Sequence, residues 1–392
     1  MPPPRLFLLA VPIAVWISSM AGPPARGQAA AVPPVSVRPE YERALKSVYL
    51  SIPDEHRRVR ESGVRPPDHT EFVRQAYSEL IGALPGYTAI ELAVSDRAAP
   101  GLVDALRTAA GPRPFRAHVI DGTLAAVDMW AQDLGERVSV EGRDMFLVPM
   151  PVDGRVAYNG ELSRARTNVA RRVFAGRTID ADFVFEGGNL AFDRMADRAR
   201  VFIGYNDVRL TIENHRRNGR AVDAAAVTRL IAAAFAGADV QVIGRETQSP
   251  LLFHLDQAFI LLGDGLAVVN RLVGPPSREQ RQLEATRSRL QALGYRTIGI
   301  DHTQEDVESY RTSTNAVPFV DAMTGRKTII FPVFPGEVTR NAPPGRLTRE
   351  HLSGKALAAY RVYEGAGYQP VPIRDFAHLA GGNTHCITNV LD

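Results

Sequence analysis

The chain has 392 residues, 45% of them hydrophobic, a formal net charge of +3 and a single cysteine. The apolar share is ample for a large core, and so small a charge gives no reason to expect nucleic acid as a partner. One cysteine excludes a disulfide within the chain, so the core must hold without staples.

The N-terminus reads as a targeting signal. Arg5 provides a weak positive region, and 6–17 is an apolar run too short to span a bilayer comfortably. Ser18, Ser19, Ala21 and Gly22 follow, then a Pro/Ala/Gly-rich stretch. Residues 1–34 are therefore expected to be a secretory signal peptide and disordered leader, cleaved after Ala21 or Gly27. Export follows as an expectation, with no membrane contact after cleavage. Residues 35–392 are expected to form one domain.

Helical segments then end on glycine and lead into short strands. The helix beginning at 102 stops at Gly111 before a strand over 115–120, and 162–174 stops at Gly176 before 178–179. Helix 223–236 stops at Gly237 before 240–243, 278–293 at Gly294 before 296–300, and 355–366 at Gly367 before 369–373. Glycine just past a helix takes the left-handed conformation at little cost. Further strands are expected over 145–150, 200–203, 259–262, 266–269, 317–320 and 327–334. Five such units, repeating every 50 to 70 residues or so, point to a radially repeated α/β architecture.

After each strand comes a polar residue in an apolar or glycine-rich setting. These are Asp133 near Trp130, Glu186 before Gly187-Gly188-Asn189, His254 with Asp256, Asn315, and Cys386. Units related by rotation would bring all of them to one axis. His254 and Asp256, read as i and i+2 on a strand, point to one face, with Leu255 toward the core. An imidazole and a carboxylate in so apolar a stretch need partners, and a mutually satisfied structural pair would meet that need too. Glu186 reads either as a turn carboxylate capping backbone N–H groups or as one that orients a histidine. Asp133 reads either as a helix cap or as a carboxylate binding a cation beside the Trp130 ring. Cys386 alone would read as a small buried hydrophobe. Among two glycines and the polar Asn383, Thr384, His385, Thr388 and Asn389, it reads instead as a nucleophilic thiol in a polar pocket. One thiol, one imidazole and three carboxylates favour a cationic, planar substrate such as a guanidinium, which carboxylates bind bidentately.

Four elements carry a resemblance, in the order Trp130-Ala131-Gln132-Asp133, Phe185-Glu186-Gly187-Gly188-Asn189, His254-Leu255-Asp256 and Gly381-Gly382-Asn383-Thr384-His385-Cys386-Ile387-Thr388. Glu40-Tyr41-Glu42-Arg43 through Val48-Tyr49-Leu50 adds an opening strand. Together they resemble the guanidino-group-modifying (pentein) superfamily, and within it the agmatine deiminase and bacterial-type peptidylarginine deiminase family. The resemblance implies a pentein-type α/β propeller of five pseudosymmetric ββαβ units. It implies a deiminase that turns a guanidino group into a ureido group with loss of ammonia, without metal or organic cofactor. By position, Cys386 would be the nucleophile, and His254 general acid and then general base. Asp133 and Asp256 would clasp the guanidinium, with Glu186 supporting His254. Trp130, Asn315, Gly382 and Asn383 would line the pocket. Gln132 stands where agmatine deiminases usually carry arginine, Leu134-Gly135-Glu136 replaces the usual Gly-Pro, and Phe253 replaces a glycine. These differences leave the chemistry as implied and leave agmatine, free arginine and peptidyl-arginine open as substrates. An amidinotransferase on the same fold and a non-catalytic guanidinium-binding propeller are the alternatives. A cysteine protease is more distant, since it needs no ring of carboxylates.

Overall fold

Five helices stop where the sequence places glycine, and each glycine has a positive φ: 60° at Gly111, 75° at Gly176, 80° at Gly237, 93° at Gly294 and 84° at Gly367. Each reversal sends the chain into a strand, so helix and strand pack as one unit. The computed structural model describes residues 33–52, 66–99, 101–121, 127, 129–152, 160–195, 198–244, 249, 251–339, 341–342, 346–380 and 382–391. The expected signal peptide and nearly all of the leader lie outside the described residues, as does Gly381.

The first unit contains β1 (Ser47–Ile52), the helix Pro66–Ala83, β2 (Ala89–Ser95), the helix Leu102–Ala110 and β3 (Phe115–Ile120). The next comprises β4 (Glu136–Val140), β5 (Arg143–Val148), the helix Gly160–Val173 and β6 (Thr178–Asp180). Then come β7 (Leu190–Met195), β8 (Arg198–Gly204), the helices Tyr205–Arg217 and Ala224–Ala234, and β9 (Asp239–Ile243). The fourth has β10 (Phe259–Gly263), β11 (Leu266–Leu272), the helix Arg278–Ala292 and β12 (Arg296–His302). The fifth has β13 (Val317–Val320), β14 (Lys327–Val333), the helix Gly354–Gly365 and β15 (Gln369–Arg374). In units two to five the first two strands form an antiparallel hairpin, and the strand after the helix runs parallel to the second. The expected ββαβ unit is therefore present. The last strand, β16 (Asn389–Leu391), pairs antiparallel with β1, so the first sheet, in the order β16-β1-β2-β3, draws on both ends of the described chain.

The middle strands carry the core. In β14, Ile329, Ile330 and Phe331 are fully buried, as are Ala267 and Val268 of β11. Such strands read as unbroken apolar runs because both faces are covered. Each fully buried Ile or Phe contributes about 1.5–3 kcal/mol. Strands β2, β4, β7 and β16 were not among those expected, nor were the helices Pro66–Ala83 and Tyr205–Arg217. β4 (Glu-Arg-Val-Ser-Val) and β7 (Leu-Ala-Phe-Asp-Arg-Met) carry charged residues that mask their apolar faces.

Candidate active site

The five connections between one unit and the next carry the candidate site residues. Asp133 lies between β3 and β4, Glu186 between β6 and β7, His254 and Asp256 between β9 and β10, Asn315 between β12 and β13, and Cys386 between β15 and β16. The sulfur of Cys386, a ring nitrogen of His254 and an oxygen of Asp256 lie within 4.8 Å of one another, as do Asp133, Glu186 and His254. Segments far apart in sequence thus meet at one place.

His254 and Asp256 are not on a strand. His254 is extended (φ −107°, ψ 151°) and caps a short 3-10 turn, Leu255–Gln257, that ends just before β10. The His254 backbone N–H donates to Gln257 Oε1 at 3.3 Å, which selects the turn over an extended run. Leu255 still faces the core, 4% exposed. The convergence of His254 and Asp256 therefore comes from the turn and not from strand alternation. The Phe253 ring lies against the imidazole, with centroids 4.3 Å apart.

Glycines let these turns touch. A Cβ on Gly188 would sit 2.8 Å from both Asp256 Oδ2 and His254 Nδ1, and one on Gly187 would sit 1.9 Å from the Gln132 carbonyl oxygen. Gly382 packs under Trp130, where a Cβ would come within 2.5 Å of the ring. The Gln132 N–H donates to the Cys386 carbonyl at 3.2 Å and ties the Asp133 turn to the cysteine loop.

Asn315 and Asn383 are both buried, in different roles. Asn315 Nδ2 donates to Cys386 Sγ at 3.1 Å, and its Oδ1 accepts the His385 N–H at 2.9 Å and the Cys386 N–H at 3.3 Å. It holds the cysteine loop and the sulfur together. The Asn383 side chain donates to the Tyr310 carbonyl at 2.6 Å, so it anchors the loop to a neighbouring unit.

His254 Nε2 lies 2.8 Å from Glu186 Oε2. Burial works against the imidazolium, but Asp133, Cys386 and Glu186 outweigh it and raise the His254 pKa well above its ordinary value. Burial pushes the Glu186 carboxyl up, yet His254 and Arg166 hold it down at about 2. Burial and the Asp256 charge push the Cys386 thiol up to about 11, against the opposing pull of His254 and the Asn383 backbone N–H. At neutral pH the site therefore rests as thiol and imidazolium. Cys386 Sγ donates to Asp256 Oδ2 at 3.4 Å. Asp256 Oδ1 is buried and has no hydrogen-bond partner among the described residues. A buried unpaired carboxylate oxygen is costly unless a ligand N–H meets it.

Two participants were not expected. Arg166, 5% exposed, places Nη1 2.7 Å from Glu186 Oε1 and Nη2 3.3 Å from Asp133 Oδ2. Asp133 thus already has an internal guanidinium partner, which modifies its expected role as a clasp for substrate alone. Nothing in the sequence singles Arg166 out, since it shares its helix with Arg164, Arg171 and Arg172. His385 is the other, and its position beside Cys386 was a usable signal. In the group of Asp133, Glu186 and His254, the Glu186 oxygens are already spent on His254 and Arg166.

The Glu186–His254 pair has a pH signature. Glu186, depressed from 4.5 to about 2, contributes stability that is full above pH 4.5 and is lost as pH falls toward 2. His254, raised from 6.5, contributes stability that is full below pH 6.5 and is lost as pH rises through its elevated value. Melting temperatures recorded across the acid range are expected to fall less steeply below pH 4.5 in Glu186→Gln than in the parent. Parallel acid limbs would mean that the pair does not link folding to protonation.

No family model and no curated protein matches the sequence. Solved structures do. An agmatine deiminase of C. jejuni superposes with a TM-score of 0.63 at 13% identity, covering 91% of this chain and 96% of that one. A cysteine-to-serine variant of the C. jejuni enzyme with substrate bound gives 0.64 at 14% identity over 91% and 96%. The agmatine deiminase of Enterococcus faecalis gives 0.61 at 13% identity over 92% and 98%. At such identities the likeness is one of fold, and the fold is the pentein-type α/β architecture that the four motifs implied.

Proposed function

We propose that this chain is a hydrolytic deiminase acting on a guanidino compound. The observation that carries the reading is the meeting of the Cys386 sulfur, the His254 ring nitrogen and the Asp256 carboxylate within 4.8 Å. The fold shared with agmatine deiminases, one of them with substrate bound, supports it.

The guanidinium cation lies against Asp256 Oδ1 and Asp133, beside the Trp130 ring. Its charge offsets that of Asp256, which is one of the two causes of the raised thiol pKa, so binding itself favours the thiolate. As the cation binds, the thiol loses its proton to solvent; the thiolate sulfur attacks the central carbon, a C–S bond forms and the C–N π bond opens. His254, resting as imidazolium, gives its proton to the departing nitrogen; the C–N bond breaks, ammonia leaves, and an amidino-thioether remains on Cys386. The now neutral His254 takes a proton from water. The oxygen attacks the same carbon, the C–S bond breaks, the remaining hydroxyl proton passes to the departing sulfur, and the ureido product leaves with the thiol and imidazolium restored. Glu186 keeps the imidazole oriented through both steps.

Agmatine, free arginine and an arginine-containing peptide are the three substrates to be separated. Purified protein is expected to release ammonia and ureido product in equal amounts from one of them. No ureido product from any of the three, with the thiol still alkylatable, would overturn the assignment. Guanidination of added glycine would point to an amidinotransferase, and binding without turnover to a guanidinium-binding propeller. We also propose that the protein acts after export, a reading supported by the apolar run over 6–17 and its Pro/Ala/Gly-rich continuation. Cell fractionation tests it.

A further inference from the structure

The reaction above makes no use of the histidine next to the nucleophile, yet that side chain is bound on both sides. His385 is 5% exposed. Its Nδ1 lies 2.9 Å from Asp256 Oδ2, and its Nε2 lies 3.0 Å from both oxygens of Glu40. Carboxylates only accept hydrogen bonds, and a neutral imidazole has a single N–H to give. Two carboxylates on opposite ring nitrogens are satisfied together only by the imidazolium. Asp256 Oδ2 is the same oxygen that accepts the Cys386 thiol. A continuous line therefore runs from sulfur through Asp256 and His385 to Glu40, which lines a cavity of about 40 Å³ together with Glu136, Thr314 and His385.

We propose that His385 is a positioning residue: as a standing imidazolium it fixes Asp256 through Oδ2, leaves Oδ1 turned to the substrate, and sets the ionisation of Cys386. Its functional meaning rests on the deiminase reading. The groups that face this line are Glu40 from the short turn Glu40–Glu42 ahead of β1, Glu136 of β4 paired with Arg43, and His254 and Asp256 from the turn before β10. Burial opposes the charge on His385, but Glu40 and Asp256 overcome it and raise its pKa well above the ordinary value. The arrangement Asp256⁻, His385⁺, Glu40⁻ leaves one net negative charge near the sulfur. Removing the imidazolium leaves two; removing the Glu40 charge leaves none.

Opposite effects follow from two substitutions. The lone cysteine makes thiolate absorbance and iodoacetamide alkylation report on Cys386 alone. His385→Gln keeps a donor for Asp256 but no charge. It is expected to raise the thiol pKa by about one unit, slowing alkylation about tenfold at any pH below that value. The KM for the guanidino substrate is expected to rise more than kcat falls, because Asp256 loses its fixed orientation. Glu40→Gln is expected to shift the thiol pKa the other way and speed alkylation several-fold. An unchanged or lowered thiol pKa in folded His385→Gln would overturn the proposal. Should neither His385→Gln nor His385→Asn fold, an unchanged or raised thiol pKa in Glu40→Gln would do so. Because thiol titration needs no substrate, opposed shifts without turnover would sink the reaction class and leave the role of His385 in setting thiol ionisation standing. Turnover without the shifts would do the reverse.

Discussion

Cys386→Ala is expected to abolish turnover, by a factor of at least about 10⁴ in kcat, while costing less than about 1.5 kcal/mol in stability. The two effects separate because the sulfur's neighbours are held by other bonds. Asn315 keeps its two bonds to the His385 and Cys386 backbone N–H groups when sulfur is removed. The Thr384 N–H and hydroxyl stay bonded to Asp375 Oδ2 at 2.8 and 2.7 Å. The loop therefore keeps its shape, and only the atom that bonds to carbon is lost. Ammonia release with the preferred guanidino compound, read beside a calorimetric melt, measures both quantities. Turnover within a hundredfold or so of the parent would exclude a covalent intermediate.

Arg166→Met is expected to destabilise the fold by about 3–5 kcal/mol, the usual cost of removing one member from a buried ion network. The guanidinium bridges Asp133 and Glu186, and both carboxylates belong to the cluster around His254. Without it two acidic groups crowd a single imidazolium. Methionine fills much of the volume, so the loss is electrostatic and not a cavity. Its sign with pH follows: protonation relieves the crowded carboxylates, so the deficit shrinks as pH is lowered from 8 toward 4. Arg166→Lys is expected to recover only part of it, since an ammonium cannot fork across two carboxylates as the guanidinium does. Urea unfolding of parent and variants at both pH values measures the deficit. A loss below about 1 kcal/mol at pH 8 would show that Arg166 is not needed to hold the two acids together.

Much of the site was legible because its residues break local rules. A His and an Asp in Leu-Leu-Phe-His-Leu-Asp, or Glu-Gly-Gly after Phe-Val-Phe, have no reason to exist in a core strand unless partners wait elsewhere. Arg166 breaks no local rule. It sits in a helix with other arginines, most of which face solvent, and only its burial sets it apart. The strand assigned to His254 and Asp256 failed for a local reason: the Gln257 side chain bonds the His254 backbone N–H and closes a turn. Two-residue spacing alone could not distinguish these conformations.

By itself the sequence determined where five of the helices stop, because glycine past a helix end is a local steric matter. In units two to five it determined the runs that form the middle strands, because burial on both faces demands unbroken apolar residues, and it marked the five connections that carry the candidate site. Only the tertiary structure decided the charge balance among them. His385 and Glu40 are 345 residues apart, His385 and Asp256 129, and Glu186 and His254 68. Coulomb interactions depend on distance in space, which is fixed only when β1 pairs with β16 and the five connections come together.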